Sequence, residues 1–157
     1  MSKPNIVLTR VDNRLVHGQV GLTWTTSLGV NLVIVADDKI LEDKFQQDLM
    51  RVITNTAGVS IRFFTIDMTI KAIPKASERQ KIFLVCRTLE DARRLIEGGV
   101  PIEELNIGNL HFVKGKKAIS KKVYVNDKDL EDLEAIKSTK IKIFIQDVPG
   151  DIKEYIK

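Results

Sequence analysis

A single α/β domain, with a largely parallel open sheet flanked by helices on both faces, is what this sequence predicts. Short β-rich runs alternate with amphipathic runs along the whole chain. Two of the β-rich runs, NLVIVA and KIFLVC, are apolar almost throughout, the pattern of parallel strands buried on both faces by crossover helices. No internal repeat, linker or low-complexity stretch divides the 157 residues. One domain therefore covers 1–157, long enough to enclose a sizeable core.

The elements follow in order. Residues 5–9 predict the first strand, and 18–27 a helix that Gly29 stops. Residues 31–36 form the second strand. Phe45, Leu49, Val52 and Ile53 fall at i, i+4, i+7 and i+8, which makes one helix face. Gly58 is its stop. Strands at 60–65 and 81–86 bracket a short helical piece near 68–73. Thr88 caps the next helix, with Asp91 three residues on. Leu89, Ala92, Leu95 and Ile96 are its inner stripe, and Gly98-Gly99 ends it. Residues 105–107 and 122–125 read as strands. Asp127 opens a helix with Leu130, Leu133 and Ile136 inward. The last strand spans 140–145, before a polar tail containing Pro149-Gly150. Strands joined through helices imply right-handed crossovers.

Composition narrows the class. Hydrophobic residues make up 43% and charged residues 29%, ordinary for a globular protein and too apolar for disorder. No run approaches the roughly 18 apolar residues of a membrane span, and MSKPNIVLTR lacks the apolar core of a signal peptide. A single cysteine, Cys86, permits no internal disulfide, which fits a reducing cytoplasm. The formal charge is +4, with Lys114, Lys116, Lys117, Lys121 and Lys122 close together. That cluster is either a solvated face or a docking surface for an acidic protein. Few aromatic residues interleave with it, which argues against nucleic acid.

In open parallel sheets, ligands sit beyond the C-terminal strand ends. This directs attention to the loop after the first strand, TRVDNRLVHGQV. A neutral imidazole at His17 can attack phosphorus, and its phosphoramidate keeps a high transfer potential. Phosphoryl transfer then needs mainly positioning and charge neutralisation. Arg14 and Arg10 carry planar forks matched to phosphoryl oxygens. Gly18 lets the backbone approach closely, and N–H groups at the helix start add donors and a favourable dipole. A histidine in such a loop is also commonly a hydrogen-bonded structural residue, and residue types alone leave both readings open.

The other candidates are weaker. His111, after the strand at 105–107, is a second histidine for a phosphatase-like site. Val16, however, stands where that class places an arginine before its nucleophile. Cys86 lacks the arginine six residues on that a cysteine phosphatase loop needs, since Ala92 is there, and reads as a core thiol. Asp37-Asp38 is a lone acidic pair better suited to capping than to a metal. The histidines and cysteine form no zinc pattern, and no Gly-rich nucleotide motif is present. No cofactor is expected. Trp24 reads as helix-face packing.

The segment TRVDNRLVHGQVGLTW resembles the phosphohistidine loop of the mannose-type (mannose–fructose–sorbose) enzyme IIB proteins of the bacterial phosphotransferase system. The likeness continues through NLVIVADD, KIFLVCRT, RRLIEGGV, LNIGNLHF and the GKK-IS-KVYV stretch, covering essentially the whole chain. It implies a phosphocarrier that accepts a phosphoryl group from a IIA partner. The group then passes to a sugar entering through membrane IIC and IID components, so membrane association is peripheral and through the permease. It places His17 on the phosphorylated position, with Nδ1 as the phosphorylated nitrogen. Arg14 falls on the phosphate-stabilising arginine, and Arg10 and Asp12 on further motif positions, Asp12 in an orienting role. Asn13 departs from the aspartate usual there. IRFFTID and KIKIFIQDVPGD resemble the N-acetylgalactosamine or galactosamine branch. Two other classes stay in competition: a phosphomonoesterase using His17 with His111 as acid, and a non-enzymatic anion-binding module.

Overall fold

Which strands are apolar on both sides decides the layering. A computed structural model describes residues 4–157. Among them, in chain order, are β1 (Asn5–Asp12), α1 (Gly18–Ser27), β2 (Leu32–Ala36), α2 (Lys44–Ala57), β3 (Ser60–Phe64), α3 (Ile66–Ala72) and β4 (Lys81–Cys86). There follow α4 (Leu89–Glu97), β5 (Glu104–Asn109), β6 (Lys117–Ser120), β7 (Val123–Val125), α5 (Asp127–Lys137), β8 (Lys142–Ile145) and β9 (Glu154–Tyr155). One sheet has the order β3-β2-β4-β1-β5-β8-β9, parallel throughout except at the β8–β9 edge. β6 and β7 form a separate antiparallel hairpin.

Every residue of β2 is buried. Val33 and Val35 join Trp24, Phe83, Val85 and Phe144 on the α1/α2 face. Ile34 and Ala36 join Leu84, Cys86, Ala92, Leu95 and Leu133 on the face covered by α3, α4 and α5. The chain leaves β1 toward one side of the sheet and leaves β4 toward the other. The loops after β1, β4 and β5 therefore meet at one C-terminal edge, the place such sheets use for ligands.

Several elements differ from their sequence-based expectation. β1 runs to Asp12 rather than stopping at 9, because β4 and β5 pair it on both sides through Arg10 and beyond. Arg10 and Asp12 thus belong to the central strand, and only the residues after them form the loop. In α2 most of the apolar stripe faces out: Phe45, Leu49 and Val52 are exposed, Ile53 is half-buried against the core, and Gln47, Met50 and Thr54 are inside. Periodicity marks a face but not its direction. The buried polar groups are satisfied locally, Gln47 Nε2 donating to the Ile40 carbonyl and Thr54 Oγ1 to carbonyls one turn back. α3 begins at Ile66, capped by Thr65. β6 and β9 were not signalled by the sequence, and β9 lies in what reads as polar tail.

Candidate active site

Local chemistry shapes the turn that carries His17. Asp12 accepts the Arg14 N–H on Oδ1 at 2.9 Å and the Leu15 N–H on its carbonyl at 2.9 Å, the usual aspartate turn. Leu15 then takes a left-handed backbone, φ 60°, strained for a side chain of this size. Burial of Leu15 and Val16 in the α1/α2 core holds it there. His17 is extended at the N-terminus of α1 and its side chain is 20% exposed. Gly18 follows with φ 47° and open space around it, so the first helical N–H groups face outward past a residue with no side chain.

Beneath the histidine lies a buried polar stack. His17 Nε2 is 3.2 Å from Asp12 Oδ2, and that oxygen also accepts from Arg10 Nη2 at 3.1 Å. Arg10 is only 2% exposed. Its Nη1 donates to Asn106 Oδ1 and, at 2.9 Å, to the Gln146 carbonyl, while its guanidinium carbon sits 5.0 Å from the centre of the Trp24 ring. Trp24 Nε1 in turn donates to the Asp147 carbonyl at 2.8 Å. Space for the guanidinium exists because residue 108 is glycine: a Cβ there would lie 2.1 Å from the Arg10 guanidinium.

Burial pushes the Asp12 carboxyl up, but hydrogen bonds from His17 and the Arg14 N–H, with the Arg10 charge, outweigh it and hold it below the usual range. Burial depresses Arg10, opposed by Asp12 and Asp147. An ionised carboxylate only accepts hydrogen bonds. In the neutral ring, the nitrogen facing such a carboxylate is the one that donates, which leaves the lone pair on the other.

The expected site residues thus divide in two. Arg10 and Asp12 sit under His17 in the sheet, whereas Arg14 and Gly18 are exposed beside it. The Arg14 guanidinium has no hydrogen bond or ion pair among the described residues, and Arg14 lines a groove of about 370 Å³ with His111, Phe112, Lys121 and Tyr124. Asn13 fastens the loop: its Nδ2 donates to the Arg87 carbonyl at 2.8 Å, its Oδ1 accepts the His111 N–H at 2.6 Å, and its own N–H reaches Asn109 at 2.9 Å. Asp37 and Asp38 go separate ways, Asp37 to Arg87 and Asp38 to Arg94 and the Ile66 N–H that opens α3. Cys86 is fully buried, and burial pushes its thiol well up.

Sequence reasoning missed Arg87, Asn106 and Gly108. Arg87 directly follows β4 at the ligand edge and was within reach of the strand-end rule. Asn106 was signalled by being polar inside the short strand run LNI.

Fold and edge site define a doubly wound α/β protein that presents a histidine at the helix start following its central strand. Residues 6–157 match the family described as PTS system sorbose subfamily IIB component. The N-acetylgalactosamine-specific phosphotransferase enzyme IIB component 1 of Escherichia coli K12 is 57% identical over 99% of both chains. A crystal structure of the E. coli N-acetylgalactosamine-specific IIB component 1 superposes with a TM-score of 0.93, covering 98% of this chain and 100% of that one. An N-acetyl-galactosamine IIB component from Streptococcus pyogenes, 41% identical, gives 0.90 over 99% and 96%. The chain belongs to the sorbose-type IIB components of the phosphotransferase system. It is accordingly a phosphotransferase component that takes a phosphoryl group from a IIA protein and passes it to sugar during uptake.

Proposed function

We propose that His17 carries the phosphoryl group on Nδ1, and that the sugar served is N-acetylgalactosamine or a close amino-sugar relative. The contact between His17 Nε2 and Asp12 Oδ2, 3.2 Å long, carries the reading, because it leaves Nδ1 as the ring's nucleophile. The Nδ1 lone pair attacks the donor's phosphorus, the N–P bond of the donor's phosphohistidine breaks, and the donor imidazole leaves. The phosphorylated ring of His17 is then cationic, with the Asp12 carboxylate against its Nε2–H. Arg14 and the N–H groups from Gly18 onward bind the migrating oxygens. Arg10 acts from below, holding Asp12, rather than on the phosphate itself. A sugar hydroxyl presented by membrane IIC and IID components then attacks phosphorus, and the His17 N–P bond breaks. The ring returns to its neutral form and the hydroxyl proton passes to solvent, with this chain working from the cytoplasmic side. The identity of the relatives supports the choice of sugar.

The test is phosphorylation by a phosphorylated IIA donor. The wild-type chain gains an acid-labile, base-stable label, His17→Ala gains none, and His111→Ala labels normally. Label retained in His17→Ala overturns the assignment.

A further inference from the structure

The loop after β5 and the β6–β7 hairpin lie beside the turn that carries His17, which touches them through Asn13 and Arg14. They present a surface whose own residues the transfer chemistry does not use. Phe112 and Val113 are 62% and 58% exposed. Phe112 is held in place, packed edge-on against Tyr124 of β7 with ring centres 5.5 Å apart. The hairpin is itself tied to the end of β5, the Leu110 and Tyr124 N–H groups bonding the Lys122 and Leu110 carbonyls at 3.0 Å.

Positive charge surrounds this apolar tip, and only part of it is matched. Lys116 pairs with Asp129 at 3.1 Å and Lys122 with Asp147 at 2.5 Å. Lys114, Lys117 and Lys121 are exposed and have no acidic partner among the described residues. The same holds for Arg14, which shares the groove with Phe112 and Lys121. An exposed aromatic anchor rimmed by unmatched cations is how a transient protein interface is built. The apolar stripe of α2 differs: Asp48 and Arg51 pair with each other, Lys44 is its one remaining charge, and a single cation selects no occupant.

We infer that this face, with Phe112 and Val113 at its centre and Lys114, Lys117 and Lys121 at its rim, docks an acidic surface of the IIA phosphodonor. The inference rests on the reading of His17 as the phosphorylated residue. Because Arg14 lines the groove, a protein seated there brings its own phosphohistidine to His17. Charge also gives the encounter a direction. Before transfer the donor carries a phosphoryl group of about −1.5 to −2 charge, which this face attracts. Afterwards the donor has lost that charge and this chain has gained it, so both changes favour release.

Single-turnover transfer measured against donor concentration tests this, with Phe112→Ala, Lys121→Glu and the control Phe45→Ser, each checked by thermal melting. Phe112→Ala and Lys121→Glu are expected to raise the half-saturating donor concentration about ten-fold while leaving the limiting rate within two-fold. The Lys121→Glu effect shrinks as salt rises, and Phe45→Ser changes nothing. Sugar phosphorylation from pre-phosphorylated variants on permease-containing vesicles stays normal. An unchanged half-saturation, or a fall in limiting rate alone, overturns the docking face. So does normal donor transfer with a slowed vesicle step, which would give this face to the permease. Absence of label on His17 in the wild type overturns the phosphohistidine reading itself, and docking with it.

Discussion

One oxygen of Asp12 serves both His17 Nε2, at 3.2 Å, and Arg10 Nη2, at 3.1 Å, while the other accepts the Arg14 N–H. A carboxylate can do all three because both oxygens only accept. A carboxamide cannot, having one acceptor and one donor of nearly the same shape.

Asp12→Asn is therefore expected to cost both stability and rate. With its oxygen toward the Arg14 N–H, its NH2 faces Arg10 and turns His17 to the wrong tautomer. With the ends exchanged, two N–H groups confront each other at the turn. Either way buried Arg10 loses its nearer counter-charge and keeps only Asp147, 3.9 Å away, a loss of up to roughly 3–5 kcal/mol. Denaturant melts and single-turnover transfer from phosphorylated IIA check this, and unchanged transfer would count against an orienting role.

Arg14→Ala, by contrast, should slow transfer without touching the fold. Charge-assisted hydrogen bonds contribute roughly 1.5–3 kcal/mol each, so losing one slows transfer about ten- to a hundred-fold. Arg14→Lys keeps charge without the fork and recovers part of the rate. The melting temperature should not move for either variant, since the guanidinium has no hydrogen-bond or ion-pair partner among the described residues.

Asn13→Asp is expected to destabilise this chain by about 1–3 kcal/mol. The side chain donates to the Arg87 carbonyl and accepts from the His111 N–H, and a carboxylate keeps only the second bond. Thermal melts of Asn13→Asp and Asn13→Ala decide it, and an aspartate variant as stable as wild type would refute the donor role.

Stability should also depend on Asp91. Burial, with Asp37 and Asp38 nearby, pushes its carboxyl up to about 6, despite a hydrogen bond with Thr88. Its unfolded value is about 4, so the folded state holds the proton more tightly between these limits. Stability from this group is complete below about pH 4 and is lost as pH rises through about 6. Asp91→Asn should therefore gain on the wild type as pH climbs from 4 to 7, measured by calorimetric melting at each pH. A constant difference would show that Asp91 is not proton-linked to folding.

The sequence was legible wherever one short-range signal decides the outcome. Continuous apolarity placed β2 and β4, and Thr88 and Asp127 placed the starts of α4 and α5 within a residue or so. The strand-end rule pointed to the loop after β1, and the structure places that loop, with His17, at the C-terminal edge of the sheet. What long-range pairing decides was not legible. Arg10 and Asp12 look like loop residues until β4 and β5 are known to flank them, so Arg10 reads as a phosphate ligand rather than as a buried prop. The stripe Phe45, Leu49 and Val52 gives the period of α2, but what packs against the helix sets its rotation. Asn13 meets partners from two distant loops, 74 and 98 residues on, and no local pattern announces such a knot.

Gly108 closes around Arg10 so tightly that the two positions are not free to change one at a time. Any side chain at 108 expels the guanidinium from its pocket between Asn106 and the Gln146 carbonyl. A smaller residue at 10 leaves an unfilled space beside the glycine and an aspartate with no counter-ion. A mutational walk through this fold would thus meet a two-step barrier here, crossed only by paired exchange. In a saturation library selected for transfer, the survivors at 10 and 108 should appear as linked genotypes, with each single exchange depleted.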